Sequence, residues 1–192
     1  MSRILIVYGT SDGHTARIVG RLEESLWAEG CGVTVARAGS RSAESWPERY
    51  DGVIVAASIH IGAYQRPVRR WVRAHAAQLS RMPSAFLSVC LAILEKRPGV
   101  QQEVHDIIRK FLRRAGWRPT VVKPVAGAVP YTRYGWLKRR IMRRLMAKAN
   151  GDTDTTRDYE YTDWEDLKSF ARGFARQAES TIPGALAGAG SR

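Results

Sequence analysis

The stretch Arg3-Ile-Leu-Ile-Val-Tyr8 is followed at once by Gly9-Thr-Ser-Asp-Gly-His-Thr15. The first part is a short apolar run typical of a buried strand. After the second part, apolar residues recur at helical spacing at Ile18, Val19, Leu22 and Leu26. A strand that ends in a turn rich in hydroxyl groups and glycine, and so opens a helix, exposes backbone N–H groups at the positive end of that helix. Such a turn is typical of a phosphate-binding site.

The turn lacks a lysine or arginine. A P-loop requires Gly-Lys followed by Ser or Thr, and a dinucleotide fingerprint requires three spaced glycines, and neither pattern is present here. Thr10, Ser11 and Thr15 supply hydroxyl donors in place of a cation. The alternative interpretation is an ordinary strand–turn–helix joint in which the hydroxyl groups only cap the helix.

Length and composition favour one domain. A chain of 192 residues with 44% hydrophobic and 26% charged residues is long enough for one well-packed core. We expect a single domain over residues 1–180 with an insertion at about 130–161, and a disordered tail over 181–192 because that segment is rich in Gly and Ala. No apolar run reaches the length of a membrane span, and no signal peptide opens the sequence, so we expect a cytoplasmic location.

The cysteines and histidines do not predict a metal site. Cys31 and Cys90 lie far apart, and the four histidines show no HxxxH or HExxH spacing. Two cysteines in a cytoplasmic chain are more often buried thiols than a disulfide.

Further strand-like runs alternate with helical patterns along the chain. We predict strands at 32–36, 52–57, 84–89 and 120–128, and helices at 67–79, 100–115 and 163–179. Thr162 and Glu165 form a capping-box pattern for the last helix. Five strands alternating with helices predict an α/β fold with a doubly wound five-stranded parallel sheet.

In such sheets, ligands bind beyond the carboxyl ends of the strands. Three predicted loops, 9–15, 58–64 and 88–97, end at this edge. A phosphate in the first loop and a planar ring between the other two is the flavodoxin-like arrangement for FMN, in a sheet of order 2-1-3-4-5. For Tyr64 and His60, a partly buried aromatic and a solvent-facing histidine remain the alternatives. The predicted cofactor-binding residues are Thr10, Ser11, Asp12, Gly13, His14, Thr15, Ser58, Ile59, His60, Ile61, Gly62, Ala63, Tyr64, Ser88, Val89, Cys90, Leu91, Gly127 and Ala128.

The insertion between the fifth strand and the last helix is basic and partly helical. Its predicted helix carries apolar residues on one face and cations on the other, and three aromatic residues precede it. This composition is typical of a segment lying in a membrane interface. Two alternatives stay open: a helix whose apolar face packs on the domain, and a nucleic-acid-binding arm. The apolar face consists of Leu137, Ile141, Met142, Leu145, Met146 and Ala149.

The net charge of +13 is concentrated in one region. Residues 96–148 contain fifteen Lys and Arg but only two acidic residues, so the rest of the chain is close to neutral. A clustered basic patch attracts anions such as acidic lipid headgroups, nucleic acid or a polycarboxylate substrate.

Eight segments between residues 4 and 174 carry a family resemblance. They are Asp12-Gly13, Ala57-Ser58-Ile59, Met82-Pro83-Ser84-Ala85-Phe86, Trp117-Arg118-Pro119, Ala126-Gly127-Ala128, the tyrosine-rich stretch from Tyr131 to Trp136, Thr153-Asp154-Thr155 and Tyr161-Thr162-Asp163-Trp164. The first two segments are shared with flavodoxins generally, and the others are more specific. On these segments the chain resembles the flavodoxin-like, quinone-dependent protoporphyrinogen oxidases of bacterial haem biosynthesis.

The resemblance implies an enzyme that binds FMN noncovalently and oxidises protoporphyrinogen IX to protoporphyrin IX. It also implies that a membrane quinone, menaquinone or ubiquinone, accepts the electrons. The protein would then lie peripherally on an anionic membrane surface at the cytoplasmic face of the inner membrane, with no nucleic-acid partner. The flavin carries the redox chemistry, so no side chain is named as acid or base. The candidates for substrate or membrane contact are Lys96, Arg97, Tyr131, Arg133, Trp136, Arg139, Arg140 and Arg143.

Other functions remain open on the sequence alone. Departures from the family pattern at His60, Cys90 and residues 92–94 allow a paralogue with the same cofactor and another substrate. A flavodoxin-like electron carrier or NAD(P)H:quinone reductase is a further alternative, although carriers tend to be acidic and this chain is basic. The last alternative is a flavin-free protein whose basic patch binds nucleic acid or acidic lipid.

Overall fold

The computed structural model describes residues 1–40, 47–60, 62–95, 98–149 and 151–181. Five strands form one parallel sheet in the order β2-β1-β3-β4-β5, which confirms the predicted fold class and strand order. The predicted tail lies outside the described residues, apart from Thr181. The strands are β1 (Arg3–Gly9), β2 (Gly32–Arg37), β3 (Gly52–Ser58), β4 (Ser84–Cys90) and β5 (Val121–Ala126).

Four helices cover the two faces of the sheet, and a fifth belongs to the insertion. Within the described residues, no helix combines the length and apolar character needed to cross a membrane. The helices are α1 (His14–Ala28), α2 (Arg66–Leu79), α3 (Pro98–Ala115), α4 (Trp136–Lys148) and α5 (Trp164–Ser180).

Alternation along the strands divides the core into two clusters. Leu5 and Val7 of β1 pack with α2 and α3, whereas Ile4 and Ile6 pack with α1 and α5. Successive strand residues point to opposite faces, so a strand covered on both faces must be apolar at every position. The four β1 residues are fully buried, which explains why the opening stretch is a continuous apolar run.

The fifth strand is shorter than the sequence predicted. β5 ends at Ala126, where it still pairs with Cys90 of β4, and the chain then leaves the sheet at Gly127. The next two residues form β6 (Ala128–Val129), which pairs antiparallel with β7 (Tyr159–Glu160). Because β6 takes a partner from the end of the insertion, the predicted strand from 120 to 128 was wrong at its carboxyl end.

The cap of the last helix also differs from the prediction. The Asp163 carboxylate, rather than Thr162, accepts a hydrogen bond from the backbone N–H of Asp166 at 3.0 Å. Thr162 instead donates its hydroxyl proton to the Ala126 carbonyl at 2.8 Å. The capping box of Thr162 and Glu165 was therefore wrong by one residue, because the threonine is used for a tertiary contact.

The cap assignment predicts the effects of two substitutions. Asp163→Ala should lower the free energy of unfolding by about 1 kcal/mol, because the helix loses its side-chain acceptor. The matched control Glu165→Ala should lower it by only about 0.3 kcal/mol, the value of one favourable charge in the first turn. Urea denaturation followed by circular dichroism measures both. A larger effect for Glu165→Ala would contradict the assignment.

Candidate functional site

A cavity of about 570 Å³ lies at the carboxyl edge of the sheet, between the predicted loops and α4; we call it the edge cavity. Its volume is that of a small-molecule site. Many of the predicted cofactor-binding residues therefore come together in one place. The predicted residues that line it are Thr10, Ser11, Asp12, His14, Thr15, Ser58, Ile59, His60, Val89, Cys90, Leu91, Gly127 and Ala128.

The turn after β1 leaves its hydroxyl protons available to a ligand. Thr10 Oγ1 accepts a hydrogen bond from the Gly13 N–H at 2.9 Å, and Ser11 Oγ accepts one from Gln65 Nε2 at 3.0 Å. Because both oxygens already accept from the protein, each hydroxyl can donate outward. In the described structure no side chain caps the start of α1. The capping interpretation therefore fails. Within the first turn the Ala16 N–H donates to the Gly13 carbonyl at 3.1 Å, so the N–H groups of His14 and Thr15 remain for an anion.

Gln65 connects two of the loops. Its Nε2 donates to Ser58 Oγ at 2.8 Å as well as to Ser11, so one amide group fixes the first loop against the second. Its Oε1 is buried and has no hydrogen-bond partner among the described residues. The close packing here requires glycine at position 9, since a Cβ there would lie 2.4 Å from Val68 Cγ2 and 3.0 Å from Gln65 Oε1. No motif marks Gln65, so it was not among the predicted site residues.

His14 lies at the cavity in its neutral form. Thr162 has one hydroxyl proton, which goes to the Ala126 carbonyl, so the 2.7 Å contact between His14 Nε2 and Thr162 Oγ1 requires a proton on Nε2. Burial lowers the pKa of His14, although Glu160 opposes the shift. A neutral ring with its proton on Nε2 leaves Nδ1 as an acceptor. The turn therefore gains no cation from this histidine at neutral pH.

The loop after β4 supplies an apolar wall. Val89, Cys90 and Leu91 line the edge cavity, and Cys90 is 8% exposed. Burial raises the pKa of the Cys90 thiol, so it stays protonated at neutral pH and acts as a small apolar group. Cys31 is likewise a free, buried thiol. His60, which also lines the edge cavity, is exposed, and its backbone bonds to that of Ala63.

Two predicted residues lie in the core rather than at the edge cavity. Tyr64 is 3% exposed, and its hydroxyl bonds to Ser88 Oγ at 2.8 Å. Its ring packs against Phe86 and Phe111, with centroids 5.1 and 4.8 Å away. Both were predicted as cofactor-binding residues, but this burial places Tyr64 and Ser88 away from the edge cavity. The partly buried aromatic, which was the alternative, comes closer to what is observed.

Most of the other predicted residues lie away from the edge cavity or outside the described residues. Gly62 and Ala63 line a separate cavity between α2 and α3, and Gly13 lines another cavity together with Arg133. Within the insertion, Arg133, Trp136, Arg140 and Arg143 are exposed. The predictions for Ile61, Lys96 and Arg97 fall outside the described residues.

Two other predicted residues hold the insertion together. Tyr131 is fully buried and donates to the Asp152 carbonyl at 2.9 Å. Arg139 donates to the carbonyls of Tyr131 and Tyr134 at 3.0 and 3.1 Å. Both residues therefore stabilise the insertion. Because these two bonds use only two of the five N–H groups of Arg139, its contact with substrate stays a prediction.

Residues of the insertion form part of the lining of the edge cavity. Lys138 forms an ion pair with Asp12 at 2.7 Å and lies over the Tyr134 ring, 4.2 Å from its centroid. Burial and the Asp12 carboxylate raise the pKa of Tyr134, so its phenol stays protonated. The sequence predicted the helix but not its position beside the edge cavity, because no local pattern indicates that Lys138 pairs with the distant Asp12. The lining residues that the insertion adds are Tyr134, Lys138, Ile141, Met142 and Leu145.

Solved structures with a similar fold include two flavodoxins. Oxidised flavodoxin 1 from Bacillus cereus superposes with a TM-score of 0.55 at 16% identity, covering 91% of this chain and 98% of that one. Oxidised flavodoxin 2 from the same organism gives a TM-score of 0.54 at 17% identity, covering 91% and 99%. Similarity at this level shows a flavodoxin-like fold.

The sequence comparisons are more specific. The family described as Flavodoxin domain matches residues 5–156. Protoporphyrinogen IX dehydrogenase [quinone] of Escherichia coli (strain K12) is 37% identical over 173 residues, covering 90% of this chain and 94% of the relative. The Leishmania major protein of the same name is 34% identical over 178 residues, covering 90% and 74%. The chain thus belongs to the flavodoxin-domain family, and within it to the family of these quinone-dependent dehydrogenases. This membership supports a flavin cofactor.

Proposed function

We propose that this protein is a flavin-dependent oxidoreductase that converts protoporphyrinogen IX to protoporphyrin IX and passes the electrons to a quinone. The observation that carries the proposal is the 37% identity to the Escherichia coli dehydrogenase over 90% of this chain. The edge cavity supports it, because a phosphate-type turn and two further loops meet there. A flavin bound there would take electrons from the porphyrinogen and deliver them to the quinone.

The proposed cofactor is FMN. The outward hydroxyls of Thr10 and Ser11, together with the uncapped first turn of α1, suit a phosphate monoester. Ile59, His60 and Val89 to Leu91 line the same cavity and offer mostly apolar surface to a planar ring. The chain's contribution is binding and orientation, and Ile141, Met142 and Leu145 limit the access of water to the cavity.

The phosphate assignment predicts a difference between two flavins. Thr10→Val should weaken FMN binding by about tenfold, because a hydrogen bond to a charged oxygen is lost. Riboflavin has no phosphate, so its affinity should stay unchanged, and Thr10→Ser should restore FMN binding. The matched control Thr34→Val replaces an exposed threonine on the edge strand β2. Fluorescence titration of the flavin-free protein measures all of these affinities. Equal losses for FMN and riboflavin would contradict the assignment.

The proposed reaction is tested by steady-state turnover. Flavin-loaded protein is mixed with protoporphyrinogen IX without oxygen, and porphyrin fluorescence is followed with and without a water-soluble menaquinone or ubiquinone analogue. Porphyrin should accumulate only when the quinone is present. Formation no faster than in protein-free samples, with either quinone, would refute the proposal. Bleaching of the flavin by NAD(P)H would instead identify a reductase.

We also propose that the insertion places the protein peripherally on an anionic membrane, at the cytoplasmic face of the inner membrane. Trp136 and Leu137 are 77% and 55% exposed at the start of α4, and Arg140 and Arg143 are exposed on the same helix. Exposed apolar side chains beside cations are typical of an interfacial helix. A lipophilic quinone would meet the protein at this surface.

The membrane contact predicts the effect of a double substitution. Trp136→Ser with Leu137→Ser should weaken binding to anionic vesicles by at least roughly tenfold. The reason is that two apolar side chains are no longer transferred from water into the membrane interface. Flavin binding should persist, since neither residue lines the edge cavity. Ile141 and Leu145 are unsuitable for this test because they do line it. The matched control is Trp27→Ser, at a tryptophan on α1 that is 54% exposed. Vesicle co-sedimentation measures the binding, and an unchanged value would refute the contact.

A further inference from the structure

A second cavity of about 610 Å³ lies beside the edge cavity; we call it the side cavity. It opens between the short 3₁₀ turn Ala92–Leu94 and the second half of α4. Resting on the proposed function, we propose that the side cavity binds the ring of the quinone, a neutral and apolar electron acceptor. Nothing in the names of the relatives says where the quinone binds.

The side cavity is next to the edge cavity and shares part of its lining. Leu91, Ala92, Met142 and Leu145 line both of them. A ring in the side cavity would therefore be separated from the contents of the edge cavity only by shared side chains. This adjacency is what electron transfer between two bound rings requires.

The walls of the side cavity are apolar. Leu94, Val100 and Met146 line it and do not line the edge cavity. Leu94 is 38% exposed although it is a large aliphatic residue on a short turn. Exposed aliphatic groups that converge on a concave surface are typical of a site for an apolar ligand.

The charges at the side cavity favour a neutral ligand over the porphyrinogen. Among its described lining residues, Glu95 and Asp152 are acidic and Lys148 is the one cation. Glu95 is 6% exposed, whereas Lys148 is exposed. Among the described lining residues, one exposed ammonium faces the two propionates of protoporphyrinogen IX, so one propionate would enter the cavity without a cation to pair with, which disfavours its binding. A quinone carries no charge and meets no such penalty.

A pair of polar residues closes one end of the side cavity. The Tyr161 hydroxyl donates to Asp152 Oδ2 at 2.7 Å. Burial and the Asp152 carboxylate raise the pKa of Tyr161, so the phenol keeps its proton. The Tyr161 hydroxyl and the Asp152 carboxylate are hydrogen-bonded to each other. The aliphatic side chains of the cavity therefore determine which ligand binds.

The electron balance requires no further reagent. Each step of porphyrinogen oxidation releases two electrons and two protons, and a quinone takes up two electrons and two protons to become a quinol. One quinone therefore takes up the two electrons and two protons that each oxidation step releases. The exposed start of α4 lies on the same helix that lines the side cavity, so a quinone leaving the membrane meets this element first.

Two substitutions test the side cavity without touching the edge cavity. Leu94→Glu adds a carboxylate beside Glu95, and Val100→Trp fills the space from the start of α3. The matched control Val122→Glu changes a residue on β5 that is 40% exposed and lines neither cavity. Binding of a water-soluble naphthoquinone to oxidised, flavin-loaded protein is measured by equilibrium dialysis without porphyrinogen. Both variants should bind it at least roughly tenfold more weakly, and the control should bind it as the unmodified protein does.

Half-reactions separate this inference from the proposed function. Without oxygen, both variants should be reduced by protoporphyrinogen IX at the unmodified rate, but naphthoquinone should reoxidise them at least roughly tenfold more slowly. Failure of the unmodified protein to be reduced would refute the proposed function, while the dialysis result would still stand. Unchanged naphthoquinone affinity in both variants, with full flavin content, would overturn the side-cavity assignment. Slower reduction by porphyrinogen with unchanged quinone affinity would assign the cavity to the porphyrinogen and also overturn it.

Discussion

The hydroxyl group of Thr162 joins the three segments on which the site depends. It donates to the Ala126 carbonyl at the end of β5 and lies 2.7 Å from His14 Nε2 at the start of α1, while α5 begins two residues later. The Tyr161 N–H beside it donates to the Gly127 carbonyl at 3.1 Å. These bonds fix the point where the insertion leaves the sheet and the point where it returns. They therefore hold α4 over the edge cavity and fix the position of the His14 ring beside the turn after β1.

The local sequence pattern was sufficient to predict the sheet and the loops at its carboxyl edge, where the edge cavity lies. Continuous apolar runs such as β1 can be stable only when both faces are covered, and alternation with helices then leads to a doubly wound parallel sheet. The hydroxyl- and glycine-rich turn after β1 was predicted for the same reason, since its composition and its position before a helix are both local. The type of residue did not show which way its side chain points, however. Tyr64 is buried in the core although its loop lies beside the edge cavity.

Contacts between distant segments could not be predicted. The pairs Gln65–Ser11, Lys138–Asp12 and His14–Thr162 are separated by 54, 126 and 148 residues. Each depends on how the loops and the insertion pack after the sheet has formed. The amphipathic pattern of α4 identified a helix but not its surroundings. In the structure the apolar residues of α4 have different surroundings. Met146 is buried, Ile141 and Leu145 line the edge cavity, and Leu137 is exposed.

A flavin in the edge cavity that protoporphyrinogen IX reduces is the feature on which the proposed function rests. It is measured most directly by the visible absorption spectrum of flavin-loaded protein, recorded without oxygen before and after one equivalent of protoporphyrinogen IX is added. We predict that the oxidised-flavin bands disappear, because the flavin takes up two electrons from the porphyrinogen, and that an excess of quinone then restores the flavin bands while porphyrin bands rise. A protein that binds no flavin, or whose oxidised bands persist after the addition, would contradict this prediction.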